Sequence, residues 1–242
     1  EQYKSGTQLI ELLIETRAKG GNLLLNVGPK PSGELPIEQE ALLREIALWH
    51  FVNGEAVYQT RPWRVPHEGD IWFTANKEDD TVYAFIEQGG PWPLRERRAF
   101  SLSSVRAGDR TTVRVLGQAD DVVMGDGAAV EWRQEGQQLQ ITAARTQRLY
   151  NNRRWPNPVV LKIVHAELGV VPPTISTGEA VWDEAAEQWL LHADLADLGE
   201  NETVAVGFQY RVWKRLTEAY DEWRESEFAD VQSPGACSAR IG

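Results

Sequence analysis

The alternation of apolar and polar positions changes period along this chain. Over residues 5–19, Leu9, Ile10, Leu12, Leu13 and Ile14 recur with helical spacing, and Lys19-Gly20-Gly21 supplies a stop signal. Asn22 to Val27 is a short, nearly continuous apolar run, which predicts a strand buried on both faces, as in a parallel sheet. Gly28 to Gly33 is loop by composition. Pro36 suits a helix first turn, Glu38 and Glu40 suit its positive end, and Leu42, Leu43, Ile46 and Trp49 form its apolar side. Asn53-Gly54 closes it. The opening therefore reads helix, strand, helix. A doubly buried strand needs a hydrogen-bonded neighbour on each edge. None is visible nearby, so the expectation is that its neighbours lie in other sequence or in another chain.

From about residue 57 to 167 the period drops to two. Residues 70–75 and 81–86, joined by the polar turn Asn76–Asp80, predict a β-hairpin. Residues 111–116, 129–132, 138–141 and 159–164 continue as short strands, with Gly117, Gly125, Gly127 and Gly136 between them. This pattern predicts an antiparallel sandwich packed on the helix at 36–52, with Trp49 and Trp63 at the junction. Val170-Val171-Pro172-Pro173 reads as a linker. Beyond it, residues 189–195 and 203–211 read as strands around the turn Asp197–Glu200. The predicted fold class is mainly β with an N-terminal α-β-α piece. No internal repeat or low-complexity tract interrupts it.

Composition adds exclusions. Charged residues make up 25% and the net charge is −11, which argues against a nucleic-acid partner, because phosphate binding wants a basic surface. No apolar run reaches the ~18 residues of a membrane span, so no membrane partner is expected. A lone Cys237 rules out an internal disulfide framework and a cysteine zinc site. Ten Trp against six Phe hints at sugar-stacking surfaces, although indoles serve equally as core filler. The chain starts at Glu1 without a charged-then-apolar leader.

Few residues carry chemistry. His50, His67, His165 and His192 show no metal-ligand spacing, so no metal or other cofactor is expected. Glu34, Glu38 and Glu40 suit a solvated helix start, and Asp79-Asp80 and Asp120-Asp121 suit turns. Arg95, Arg97 and Arg98 form a small basic cluster, read as a solvated face. Asn201-Glu202-Thr203 is a formal glycosylation sequon, and Cys237 reads as an incidental thiol.

Residues 20–29 (Gly-Gly-Asn-Leu-Leu-Leu-Asn-Val-Gly-Pro), Gly33, Trp49, Asn53 to Tyr58 and Thr60-Arg61-Pro62-Trp63 together resemble one family. It is the retaining α-L-fucosidases of glycoside hydrolase family 29, at the end of their catalytic domain. Arg148 to Ile163 resembles the same family's C-terminal β-domain. The resemblance implies that residues 1–56 end a (β/α)8-like barrel, with Asn22–Val27 its last strand, and that residues 57–168 are the C-terminal sandwich. Residues 174–242 more loosely resemble a partial fibronectin-III-like accessory module, and the sequence reads as truncated at both ends.

The activity implied is hydrolysis of terminal α-L-fucosides with retention, a fucosylated glycan being the substrate, in a secreted or periplasmic protein. Retention needs two carboxyl groups about 5 Å apart. The family's Asp and Glu both precede the segment matching Glu1–Pro29, so no catalytic residue is assigned here. The implied substrate-proximal position is Asn26, at the end of the last strand, where barrel active sites lie. Asn26 and Gly28-Pro29 otherwise serve only to shape a tight turn. Two alternatives stay open: a non-catalytic carbohydrate-binding or structural module, and a compact fucosidase whose site is assembled by oligomerisation, with Glu34 or Asp70 recruited. A homo-oligomer through the orphan strand is expected in either case.

Overall fold

A computed structural model describes residues 3–87, 92–93, 96–118, 130–145, 157–214 and 219–241. The chain divides into two compact units, residues 1–169 and 170–242.

The first unit opens with helix α1, Gly6–Ala18, whose start is fixed by a reciprocal cap. The Ser5 hydroxyl accepts from Gln8 N–H at 3.1 Å, and the Ser5 N–H donates to the Gln8 side chain at 2.9 Å. Gly20 ends the helix in the left-handed region (φ +83°), which a residue with a Cβ reaches only with strain. Helix α2, Ile37–Asn53, begins after Pro36, and a 3-10 turn, Gly54–Ala56, leads out of it.

Eight strands follow: β1 Thr60–Glu68, β2 Ile71–Asn76, β3 Val82–Ile86, β4 Arg97–Leu102, β5 Val105–Val115, β6 Val130–Glu135, β7 Gln138–Ala144 and β8 Val159–Leu168. They form two antiparallel sheets, ordered β1-β2-β3-β8-β5 and β4-β7-β6. The five-stranded sheet is covered on both faces. Val82, Ala84, Ile86, Val159, Leu161 and Ile163 join Phe73, Leu102, Leu139 and Ile141 in the core between the sheets. Tyr83, Phe85 and Val160 point the other way and pack on Ile10, Ile14 and Trp49 of the helices. This explains why β3 is buried at every position and shows no alternation.

The helices pack on the sandwich with Trp49 at the junction, whereas Trp63, expected there too, lies against the core between the sheets. Trp49 is fully buried, and its indole N–H donates to Pro158 O at 2.9 Å. Trp63 packs against the inter-sheet core, and its indole N–H donates to Ser104 O at 3.2 Å.

Three differences from expectation have local causes. The segment 22–27 is drawn out but belongs to no strand, and Leu24 is 93% exposed. An extended segment becomes a strand only when a ladder partner meets its N–H and C=O groups, and no described residue of this chain does so. β1, a strand that the sequence pattern did not mark, contains Pro62 and Pro66. It tolerates them as an edge strand with an irregular register between Pro62 and His67. β4 carries Arg97 and Arg98, which were read only as a solvated cluster. The strand is in fact half-buried in alternation, pairing Arg97–Leu102 with Ala144–Leu139. Arg95, Asp120-Asp121 and the motif residues 148–156 lie outside the described residues.

The second unit is built on β11, Gln188–Asp197. On one edge it pairs with β9, Thr174–Thr177, and β10, Val181–Asp183; on the other it pairs with β18, Gly235–Ile241. Residues 204–214 and 219–231 form an interrupted ribbon. In it β12 (Val204–Val206), β13 (Gln209–Tyr210) and β14 (Trp213–Lys214) pair with β17 (Ala229–Val231), β16 (Arg224–Glu225) and β15 (Ala219–Tyr220) respectively. The run read as one strand over 203–211 is thus broken at Gly207-Phe208.

Candidate functional site

Asn26 sits on the extended segment between the helices of the first unit. The chain is aimed into it by Arg17, whose guanidinium donates to Gly21 O and Thr60 O, each at 3.1 Å. At the other end, Gly28 N–H donates to the Gln39 side-chain oxygen at 3.0 Å, tethering the segment to α2. Asn26 itself is exposed. It borders a pocket of about 210 Å³ with a floor of Leu9, Leu25, Val27, Leu42 and Ile46. The polar groups at this rim are the Asn26 and Gln39 amides, the Lys4 ammonium and the Tyr3 hydroxyl, which Gln39 approaches at 3.4 Å. Such a rim can accept and donate hydrogen bonds to a hydroxylated ligand. It holds no carboxyl group, so it cannot by itself supply the pair of carboxyls that retaining glycoside hydrolysis needs.

The other sequence candidates do not converge on it. Glu38 and Glu40 lie in the first turn of α2, Glu40 paired with Arg44 at 2.6 Å on the surface. Glu34 is exposed in the loop before α2, where its side chain accepts from Ser32 at 3.3 Å. Asp80 is held by His165 at 3.1 Å in the exposed β2–β3 turn region, and that contact keeps its carboxyl below the usual range. His50 is bound to Ile46 O within its own helix at 3.0 Å. Among the described residues no group of three or more His, Cys, Asp or Glu could hold a metal ion.

Sequence reasoning missed a second, larger pocket of about 450 Å³, where α1 faces the β1–β2 turn and the end of β3. Glu11 and Glu15 enter it from α1, Asp70 from the turn and Glu87 from just beyond β3, with Lys4 and His67 alongside. Burial pushes the Glu11 carboxyl up, and the neighbouring Glu87 pushes it further. Glu87 is raised mainly by burial, against a hydrogen bond from the Trp72 indole, and then by Asp70 and Glu15. Trp72 forms one wall, with the His67 ring 4.7 Å from it and the Lys19 ammonium 5.3 Å away. The only local signal for this pocket was the one-turn spacing of Glu11 and Glu15; Asp70 and Glu87 arrive through tertiary structure. Asp70 therefore lines a different pocket from Asn26.

Comparison with known proteins places these features. The family model for alpha-L-fucosidase matches residues 1–55, the stretch that contains both helices and Asn26. The plasma alpha-L-fucosidase of Rattus norvegicus is 32% identical over 133 residues, covering 54% of this chain and 26% of that protein. The alpha-L-fucosidase of Branchiostoma floridae is 35% identical over 136 residues, covering 53% of this chain and 29% of that protein. The chain thus spans little more than a quarter of the length of these curated relatives. In fold, it is similar to the crystal structure of alpha-L-fucosidase from Vibrio sp. strain EJY3, with a TM-score of 0.52 and 18% identity. That likeness covers 97% of this chain and 44% of the other. The relationship to α-L-fucosidases read in the sequence is borne out, and so is the mainly-β fold class.

Proposed function

We propose that this chain is part of an α-L-fucosidase that hydrolyses terminal α-L-fucosides with retention. In this reading residues 1–56 close the catalytic barrel and residues 57–168 form the C-terminal sandwich that braces it. Residues 174–242 form a partial fibronectin-III-like accessory module. The observation that carries the reading is the family match over residues 1–55. The segment bearing Asn26 lies within it, extended and without a ladder partner among the described residues.

The chemistry follows from that placement. The extended segment supplies the last wall of the barrel, so Leu24 and Val27, exposed at 93% and 37%, are met by neighbouring strands. Asn26 then stands at the barrel mouth and offers its amide to a sugar hydroxyl. The nucleophile and the acid/base come from other sequence, because the Asn26 pocket has no carboxylate. Pairing of the segment with a second copy of the chain is the corresponding route to a homo-oligomer. The substrate is a fucosylated glycan, and the protein is secreted.

The test is hydrolysis of 4-nitrophenyl α-L-fucoside by the intact native protein, with the anomer of released fucose followed by NMR. Turnover with first release of α-fucose is expected. Absence of turnover, or first release of the β anomer, overturns the reading.

A non-catalytic role has one observation in its favour for the second unit. Trp182, Trp189, Trp213 and Trp223 are between 44% and 62% exposed there. Exposed indoles suit stacking on sugar faces, so this unit is read as a glycan-holding or structural module.

A further inference from the structure

Helix α1 is held to the rest of its unit in two ways that respond differently to protons. The first is insensitive: Ile10, Ile14 and Ala18 are fully buried, and Arg17 clamps two carbonyls at the C-terminal end. The second is a set of carboxyl groups. Three Glu carboxyls, those of Glu11, Glu45 and Glu87, lie above the ordinary carboxylate range, and all three lie on or against this helix.

Glu45, from α2, is 6% exposed and lies directly under the first residue of α1. A Cβ at Gly6 would stand 2.3 Å from the Glu45 carboxyl, so only glycine allows this approach. Burial raises the Glu45 carboxyl, and a hydrogen bond from Asn157 partly opposes that. Asn157, fully buried, also accepts from the Thr7 hydroxyl at 2.7 Å, which joins α1, α2 and the start of β8 in one network. One turn further on, the opposite flank of α1 faces the acidic pocket. There Glu11 and Glu15 meet Asp70 and Glu87, with the Lys4 ammonium and the His67 ring also lining it. Lys19 is engaged with Glu15 at 2.6 Å. Four carboxylates in one cleft repel one another when all are charged, and a buried carboxylate resists ionisation.

We propose that α1 is an acid-tightened clasp: it is seated on the sheet when the carboxyl groups of Glu11, Glu45 and Glu87 carry protons, and it opens locally as they ionise. The sense follows from linkage. A carboxyl that takes up its proton more readily in the folded state adds stability at low pH, and that stability is lost as pH rises through its folded value. Because Ile10, Ile14 and the Arg17 clamp remain, the change is a local opening of α1, with the sheets intact. Opening exposes Leu9 and the floor of the Asn26 pocket, so protonation at one flank of the helix governs the shape of the groove at the other.

Hydrogen exchange of the full chain at about pH 4 and about pH 8, read by peptide mass spectrometry and corrected for intrinsic exchange, tests this. Peptides from residues 5–19 are expected to open several-fold more often at the higher pH. Peptides from β8 keep the same protection at both. The double variant Glu11→Gln, Glu87→Gln loses most of that dependence, and Glu11→Gln alone, on a half-exposed position, loses part of it. His67→Gln retains it. Equal protection of residues 5–19 at both pH values overturns the proposal. So does opening of β8 together with α1, a dependence unchanged in the Gln variants, or a dependence abolished by His67→Gln.

Discussion

The two units use aromatic side chains and charge in opposite ways. In residues 1–169 four large rings, Trp49, Phe73, Tyr83 and Phe85, are at most 1% exposed, while Phe51 and Tyr58 lie at the surface. Acidic and basic residues nearly balance there, 22 against 20. In residues 170–242 the four Trp are all at the surface, and 14 acidic residues face 5 basic ones. The buried apolar residues described in this unit are Ala193, Leu195, Val206 and Phe208. The difference teaches how a sheet obtains its stability. A sheet covered on both faces places adjacent residues of one strand in two cores. A short chain with strands covered on few sides has little apolar surface to bury and leans on cross-strand pairs and turns.

Substitution of a large ring should expose this contrast most strongly. Trp49→Ala removes a fully buried side chain and its bond to Pro158 O, and is expected to cost about 3–5 kcal/mol in denaturant unfolding of the first unit. Trp189, 44% exposed, meets Trp182 directly across β10 and β11 with ring centroids 5.4 Å apart. Trp189→Ala is expected to cost only about 0.5–1.5 kcal/mol, the scale of an aromatic pair. Equal costs at the two positions would break the comparison. Between these lies Gly6→Ala, which pushes the Glu45 carboxyl from its seat and is expected to cost about 1–3 kcal/mol, as overpacking does. Thermal unfolding by far-ultraviolet circular dichroism reads all three.

The smallest effect is also the most discriminating, because its sign differs between units. In the second unit, Asp183 is held below the usual carboxylate range, first by its bond from Arg240 at 2.7 Å and then by Ala186 N–H. Its contribution is present above the ordinary Asp value and is lost as pH falls through the folded value. Glu11, Glu45 and Glu87 in the first unit contribute in the reverse sense. A carboxyl-carbon NMR titration is expected to place the Asp183 midpoint below the ordinary value and the Glu87 midpoint above it. Arg240→Gln should return Asp183 toward the ordinary value while Glu87 stays where it is.

Both helices and the β2–β3 hairpin were legible because their cues are local: the spacing of Leu9 to Ile14 with the Gly20-Gly21 stop, Pro36, and the polar stretch Asn76–Asp80 between two apolar runs. β1 and the first half of β5 were not. Prolines interrupt the pattern of β1, and the register of β5 shifts between Ala107 and Thr112. The apolar run 22–27 carried a strand's composition, but composition cannot provide the partner that makes a strand. Of the candidate site, Asn26 was found through a resemblance in the motif around it. The acidic pocket was invisible because Glu11, Asp70 and Glu87 are brought together only by the packing of α1 on the sheet.

The central claim is that this chain contributes barrel wall and support to a fucosidase whose catalytic carboxylates lie in other sequence. The most direct measurement is hydrolysis of 4-nitrophenyl α-L-fucoside by the purified 242-residue chain alone. The account predicts no turnover above the uncatalysed rate, because acid/base assistance alone is typically worth about 10²–10⁴-fold and the Asn26 pocket holds no carboxyl group to supply it. Robust turnover that a single Asp or Glu substitution within residues 1–242 abolishes would contradict it.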